Sequence, residues 1–147
     1  MTKAVTVLLA DDHALVRRGF RRLLEDDPSI VVVGEASDGA EAMRLAEQLK
    51  PQVVVMDSAM PGTSGLAATR AIVAPSPQVA ILMLSMHSEE TLVHQAMEAG
   101  ARGYILKNAL DLDLAAAVKR VAAGETVIAP ALRQSTRRQS GLPGERS

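Results

Sequence analysis

The stretch Val5-Thr6-Val7-Leu8-Leu9-Ala10-Asp11-Asp12-His13-Ala14 decides the fold. A short, almost purely apolar run ends in two adjacent acids, and an amphipathic segment follows. A run of this length without polar alternation is the pattern of a strand buried on both faces of a parallel sheet. The pattern recurs at Gln52–Met56 and Val79–Leu84, with shorter runs at Ile30–Val33 and Gly103–Leu106. Between the runs the spacing turns helical. Ala42, Leu45, Ala46 and Leu49 fall at i, i+3, i+4 and i+7, as do Leu114, Ala117, Val118 and Val121. Leu92, Val93, Ala96 and Met97 make a further stripe, and Leu66–Val73 a weaker one. In the first helix Val16, Phe20, Leu23 and Leu24 form the expected inner stripe, with Arg17, Arg18, Arg21 and Arg22 facing away.

Punctuation agrees with this division. Asp38 three residues before Glu41, and Ser88 before Glu89 and Glu90, read as helix starts. Pro51, Gly100 and Gly124 read as stops. The result is five strand–helix units between Val5 and Gly124, which implies a three-layer α/β domain with right-handed crossovers.

Composition narrows the class. The chain has 147 residues, about one domain, with 48% hydrophobic and 22% charged residues. No run approaches the roughly 18 apolar residues of a membrane helix, and Met1 to Ala10 lack a signal-peptide layout. With no cysteine there is no disulfide or thiolate chemistry, and a cytoplasmic location is expected. Phe20 and Tyr104 are the only aromatics, so base-stacking platforms are excluded. Residues 131–147 carry four arginines against Glu145, whereas residues 1–130 hold 12 basic and 16 acidic side chains. An acidic body of this kind is a poor nucleic-acid binder.

In open α/β sheets ligands bind outside the carboxyl ends of the strands. Asp11-Asp12 follow the first strand, Asp57 ends the third, Ser85 the fourth and Lys107 the fifth. The second ends in Ala36-Ser37 with no such group. One rim therefore gathers three carboxylates, a hydroxyl and an ammonium. Close carboxylates repel unless a cation sits among them, and oxygen donors suit Mg²⁺, which accepts phosphate oxygens as well. A lysine about 4 Å from a phosphate gains about 4 kcal/mol at an effective dielectric near 20. The chemistry implied is phosphoryl transfer, which runs on positioning and electrostatics.

Four motifs now stand together in order. They are Leu8-Leu9-Ala10-Asp11-Asp12-His13, then Val55-Met56-Asp57 with Met60-Pro61-Gly62 and Gly65, then Leu84-Ser85-Met86-His87, and Gly100-Ala101-Arg102-Gly103-Tyr104-Ile105-Leu106-Lys107. In this combination the chain resembles a response-regulator receiver domain of bacterial two-component signalling over most of its length. Gly34-Glu35-Ala36-Ser37-Asp38-Gly39 resembles the NarL/FixJ type. The resemblance implies a doubly wound five-stranded parallel sheet of order 2-1-3-4-5, flavodoxin-like or CheY-like, spanning residues 1–126. Residues 127–147 are then a linker or tail toward a helix-turn-helix output domain that this sequence lacks.

The resemblance also assigns roles. Asp57 is the phosphoacceptor for a sensor histidine kinase. Asp12 ligates Mg²⁺ directly, Asp11 through a water, and Asp57 and the Ala59 main-chain carbonyl complete the protein ligands. Lys107 pairs with the carboxylate and then the phosphoryl group. Ser85 and Tyr104 are the switch. Homodimerisation on activation is expected, through the fourth-helix, fifth-strand and fifth-helix face or through the first and fifth helices. DNA is expected to be reached only through the absent domain, and no membrane is involved. The module accepts a phosphoryl group and is not a turnover enzyme. Departures from the family pattern stand at Ser58, Ala59, Met86 and Asn108, and none removes a chemical group.

Two rival readings bear on the same residues. A Mg²⁺-dependent aspartyl phosphohydrolase shares the acids, but Asp11-Asp12-His13-Ala14 does not match its nucleophile pattern. An interaction module that never needs phosphate conflicts with the complete set of acids, hydroxyl and lysine. His13, His87 and His94 show no metal-ligand spacing and read as surface or rim residues.

Overall fold

The computed structural model describes residues 4–107 and 113–128. Strands β1 (Val5–Ala10), β2 (Ile30–Ala36), β3 (Val53–Asp57), β4 (Ala80–Ser85), β5 (Gly103–Leu106) and β6 (Val127–Ile128) alternate with five helices. The helices are α1 (Ala14–Glu25), α2 (Gly39–Leu49), α3 (Gly65–Val73), α4 (Glu90–Glu98) and α5 (Leu114–Ala122). The sheet order is β2-β1-β3-β4-β5-β6, and every pair is parallel.

The order of the first five strands is as expected, but the sheet has six strands rather than five. β6 adds Val127 opposite Gly103 and Ile128 opposite Tyr104. Two residues are too few to show a period, so no sequence pattern marks it. They fall within the segment 127–147 read as a tail, and residues 129–147 lie outside the described part, as does Asn108.

The pleat sorts the core into two halves, because successive strand residues point to opposite faces. Leu8, Val54, Met56, Ile81 and Met83 pack with Ala42, Ala68, Ile72 and Val93 from α2, α3 and α4. Val7, Leu9, Val53, Val55, Leu82 and Leu84 pack with Leu24, Val118 and Val121 from α1 and α5. All residues of β3 and β4 are buried, which is why those runs are apolar without alternation. Each fully buried Val, Leu or Ile contributes about 1.5–3 kcal/mol relative to an exposed one.

β2, β3 and β4 end at Ala36, Asp57 and Ser85 as the rim reading expects, beyond their apolar runs, whereas β5 stops at Leu106, one residue before Lys107. β3 and β4 carry Asp57 and Ser85 inside their ladders, opposite Leu84 and Leu106. β2 continues three residues past Val33, since Gly34, Glu35 and Ala36 pair with Leu8, Leu9 and Ala10 after a shift of register.

The caps follow the local chemistry. Asp38 accepts from the Glu41 amide at 2.7 Å, and Glu41 in turn accepts from the Ser37 amide at 2.8 Å. Ser64 and Asp113 cap α3 and α5 in the same manner. Ser88 does not start α4: the cap position is Glu89, with no side-chain bond. Gly100 and Gly124 take positive φ where α4 and α5 end.

Helix α1 departs from its expected orientation. Leu24 is buried and Phe20 half-buried, but Leu23 is 50% exposed and Val16 39%. The face turned to the sheet is Arg17, Phe20, Arg21 and Leu24, itself an i, i+3, i+4, i+7 set. Arg17 and Arg21 do not face away, because Glu35 on β2 draws both guanidinium groups in.

Candidate functional site

The carboxyl ends of β1, β3, β4 and β5 deliver Asp11, Asp57, Ser85 and Lys107 to one rim. Asp11 and Ser85 are each 1% exposed and Asp57 3%, so three polar side chains sit at core depth. Asp12 remains half-exposed. Burying a charge is costly unless it is paired, and the pairing is explicit. Lys107 Nζ lies 2.8 Å from Asp11 Oδ2 and 3.1 Å from Asp57 Oδ2. The other Asp57 oxygen, Oδ1, accepts from the Ala59 amide at 3.2 Å. Asp11 Oδ1 accepts from the His13 amide at 2.8 Å, which turns the chain from β1 into α1.

These contacts set the protonation balance. Burial pushes the Asp57 carboxyl above its ordinary value, and the Ala59 amide and the Lys107 ammonium only partly offset it, while the Asp11 charge adds to the rise. For Lys107 burial acts downward, but the hydrogen bonds to Asp11 and Asp57 outweigh it and the pKa rises. A single ammonium thus neutralises part of a three-acid cluster.

The acids also fit a divalent cation. Asp11, Asp12, His13 and Asp57 each offer a ligand atom, all within 4.8 Å of one another. Asp12 Oδ1 is buried and receives no aligned hydrogen bond, although His13 Nδ1 lies 3.1 Å away. Hard oxygen donors around a carboxylate oxygen without an aligned hydrogen bond suit Mg²⁺ better than a soft metal. His13 was read from sequence as a rim residue. It is one, at 66% side-chain exposure, but its ring also joins the acidic group. Its adjacency to Asp11-Asp12 was the available signal.

Ser85 and Tyr104 do not reach Asp57; they meet at the main chain of His87. Ser85 Oγ accepts from the His87 amide at 3.0 Å, and the Tyr104 hydroxyl donates to the His87 carbonyl at 2.8 Å. Tyr104 is 2% exposed and its ring is turned inward. Burial raises its pKa, and the Ser85 hydroxyl works against the rise. The two switch candidates are therefore joined through the main chain of one residue, His87, on its N–H and C=O sides. A cavity of about 260 Å³, lined in part by Ala59, Ser85, His87 and Tyr104, separates the acceptor loop from α4. Met86 stands 58% exposed on the same rim.

One further residue was missed. Arg17 Nη1 donates to the Asp11 carbonyl oxygen at 2.6 Å, and its Nε donates to Glu35 Oε1 at 2.7 Å. Nothing in the local sequence distinguishes it from Arg18.

A family model for the response regulator receiver domain matches residues 7–119. The response regulator UvrY of Escherichia coli is 45% identical over 130 residues, covering 88% of this chain and 60% of that protein. The response regulator GacA of Pseudomonas aeruginosa is 38% identical over 139 residues, covering 95% and 65%. The chain thus spans less than two thirds of the length of these curated relatives. Among solved structures, a LuxR-family two-component response regulator from an Aurantimonas species superposes with a TM-score of 0.90 at 37% identity. That match covers 94% of this chain and 99% of the other.

Proposed function

The chain belongs to the response-regulator receiver family of two-component systems, and from that premise we propose that Asp57 is the phosphoryl acceptor of this domain. The observation that carries this is the ion cluster: a buried carboxylate at the end of β3, bonded by Lys107, facing Asp11 and beside Asp12. In the transfer, an Asp57 oxygen attacks the phosphorus of a phosphohistidine on a sensor kinase. The O–P bond forms as the N–P bond breaks, and the imidazole leaves. Lys107 moves its contact from the Asp57 carboxylate to a phosphoryl oxygen, and the Ala59 amide holds the acceptor loop.

Asp11, Asp12, Asp57 and the Ala59 carbonyl are the residues that would hold Mg²⁺, which when bound offsets the negative charge of the acids and of the phosphoryl group. Ser85 bonds the new phosphoryl group, and its release from the His87 amide loosens the main chain of the residue whose carbonyl Tyr104 holds. The added charge biases a two-state equilibrium. The readout is altered self-association and, in a longer protein, transcription through a DNA-binding domain. The domain accepts a phosphoryl group and does not turn over a substrate. No helix among the described residues is long and apolar enough to cross a membrane, and we place the module in the cytoplasm with its kinase.

The test is titration with beryllium fluoride and Mg²⁺, followed by amide NMR and solution mass, with Asp57→Ala as control. Saturable shifts at Asp12, Ser85, Tyr104 and Lys107, absent in the control, are expected. No response in the wild-type chain overturns the proposal and favours a phosphate-independent module. A mass that does not change with the phosphoryl mimic overturns the self-association arm alone.

A further inference from the structure

We propose that Arg17 is a positioning residue for the acidic site, holding the Asp11–Asp12 peptide so that the Asp12 carboxylate meets the bound cation. The inference rests on the reading of this rim as a Mg²⁺-assisted phosphoryl site and adds a residue to it.

The argument starts where the ladder of β1 stops. The Asp11 amide donates to the Ala36 carbonyl of β2 at 3.0 Å, the last rung on that side. The Asp11 carbonyl lies one step beyond, and its donor is a guanidinium rather than a main-chain amide: Arg17 Nη1, at 2.6 Å. The peptide unit is planar, so fixing its oxygen fixes the plane that joins Asp11 to Asp12. That plane sets the direction in which the Asp12 side chain leaves the backbone. The Asp11 carboxylate is fixed from both sides, Oδ1 by the His13 amide and Oδ2 by the Lys107 ammonium, whereas the buried Asp12 Oδ1 has only the His13 ring 3.1 Å away, so the aim of Asp12 rests on its backbone.

Arg17 is itself anchored. Its Nε donates to Glu35 Oε1 at 2.7 Å, and Arg21 Nη1 holds the other Glu35 oxygen at 2.5 Å. The Arg17 side chain is only 17% exposed. Its bonds, and those of Arg21, keep the Glu35 carboxyl below its usual range, so the clamp is ionised. Because Arg17 touches the Asp11 main chain and Glu35, it leaves the carboxylates of Asp11 and Asp12 to a cation. A planar guanidinium has donors in a rigid fork that bridges two acceptors at once, which a lysine ammonium on a flexible stem does poorly.

The experiment is calorimetric titration of the whole chain with MgCl₂, then with beryllium fluoride at saturating Mg²⁺, alongside thermal unfolding. Arg17→Ala is expected to weaken Mg²⁺ about tenfold, the low end for a residue that orients a metal ligand. Arg17→Lys recovers part of that loss. Arg21→Ala removes a bond to Glu35 but leaves the Arg17–Asp11 contact, so it lowers Tm while keeping wild-type Mg²⁺ affinity. Wild-type affinity in Arg17→Ala overturns the proposal. So does equal weakening in Arg21→Ala, which marks general loosening. If Arg17→Ala does not fold, Arg17→Lys decides: affinity between wild type and a fivefold loss supports the role, and unchanged affinity overturns it. A wild-type chain that takes no Mg²⁺ overturns the reading of the site itself, an outcome separate from these.

Discussion

Three glycine-to-alanine substitutions separate steric closeness from backbone strain in this fold. Gly65 is the first residue of α3, and a Cβ there would lie 2.3 Å from the Asp57 carbonyl oxygen and 2.8 Å from Ser58 Cα. Both neighbours are main chain and cannot swing aside. Restoring ordinary contact needs α3 to move from β3 by roughly 1 Å, since non-bonded atoms prefer about 3.5 Å. Overpacking of this sort costs about 3 kcal/mol, which at roughly 3–4 °C per kcal/mol lowers Tm by about 10 °C. Gly62 differs: its φ is +73° but a Cβ there meets nothing within 4 Å. Gly62→Ala therefore carries only the left-handed backbone penalty, about 1 kcal/mol. Gly19 lies within α1 with nothing within 4 Å of its Cβ position. Gly19→Ala should stabilise by about 0.5–1 kcal/mol, through helix propensity and the stiffer unfolded chain. Urea denaturation of the three variants measures the ranking. Gly65→Ala also displaces the acceptor strand end, so its affinity for Mg²⁺ and beryllium fluoride should fall, while that of Gly19→Ala stays at the wild-type value. A Gly65→Ala protein within 1 kcal/mol of wild type would refute the reasoning, because it would show that α3 yields freely beside the acceptor.

Lys107→Ala leaves two buried carboxylates without their cation. It should cost about 3 kcal/mol in metal-free buffer and less in saturating Mg²⁺; urea midpoints with and without Mg²⁺ check both parts. Asp57→Asn should stabilise the metal-free fold at pH 7. Burial raises the Asp57 pKa above 3.8, so the folded state binds the proton more tightly and stability falls as pH rises from 3.8 through the folded value. The asparagine variant lacks that slope, and its advantage should vanish once the pH drops below 3.8; unfolding curves at neutral and acid pH measure it. Glu35 has the opposite sign. Its pKa is held below 4.5 by Arg17 and Arg21, so its stabilisation is present above 4.5 and is lost as pH falls through the folded value. Glu35→Gln should be less stable than wild type at pH 7 and show a shallower loss on acidification, and equal acid slopes for the two proteins would count against this assignment.

The sequence by itself determined the first five strands, their parallel pairing and the rim at their ends. A strand covered on both faces must be apolar throughout, so β1, β3 and β4 announced themselves. Asp11, Asp12, Asp57, Ser85 and Lys107 were legible as a set because each directly follows or closes such a run, and the resemblance to receiver domains put roles on them. Periodicity reports that a helix has an apolar face, but not how far the helix is rotated about its axis. For α1 that rotation was decided by Glu35, which pairs beside Leu9 and pulls Arg17 and Arg21 inward, leaving Leu23 and Val16 outside. The Arg17–Asp11 bond, the meeting of Ser85 and Tyr104 at the His87 main chain and the two-residue β6 share one cause. Each depends on main-chain groups, which every residue carries alike, and on how the surrounding chain is packed: Glu35 anchors Arg17, Tyr104 reaches back to His87, and β6 pairs with β5. Side-chain pattern carries no record of which carbonyl a guanidinium will reach; only the packed tertiary structure decides that.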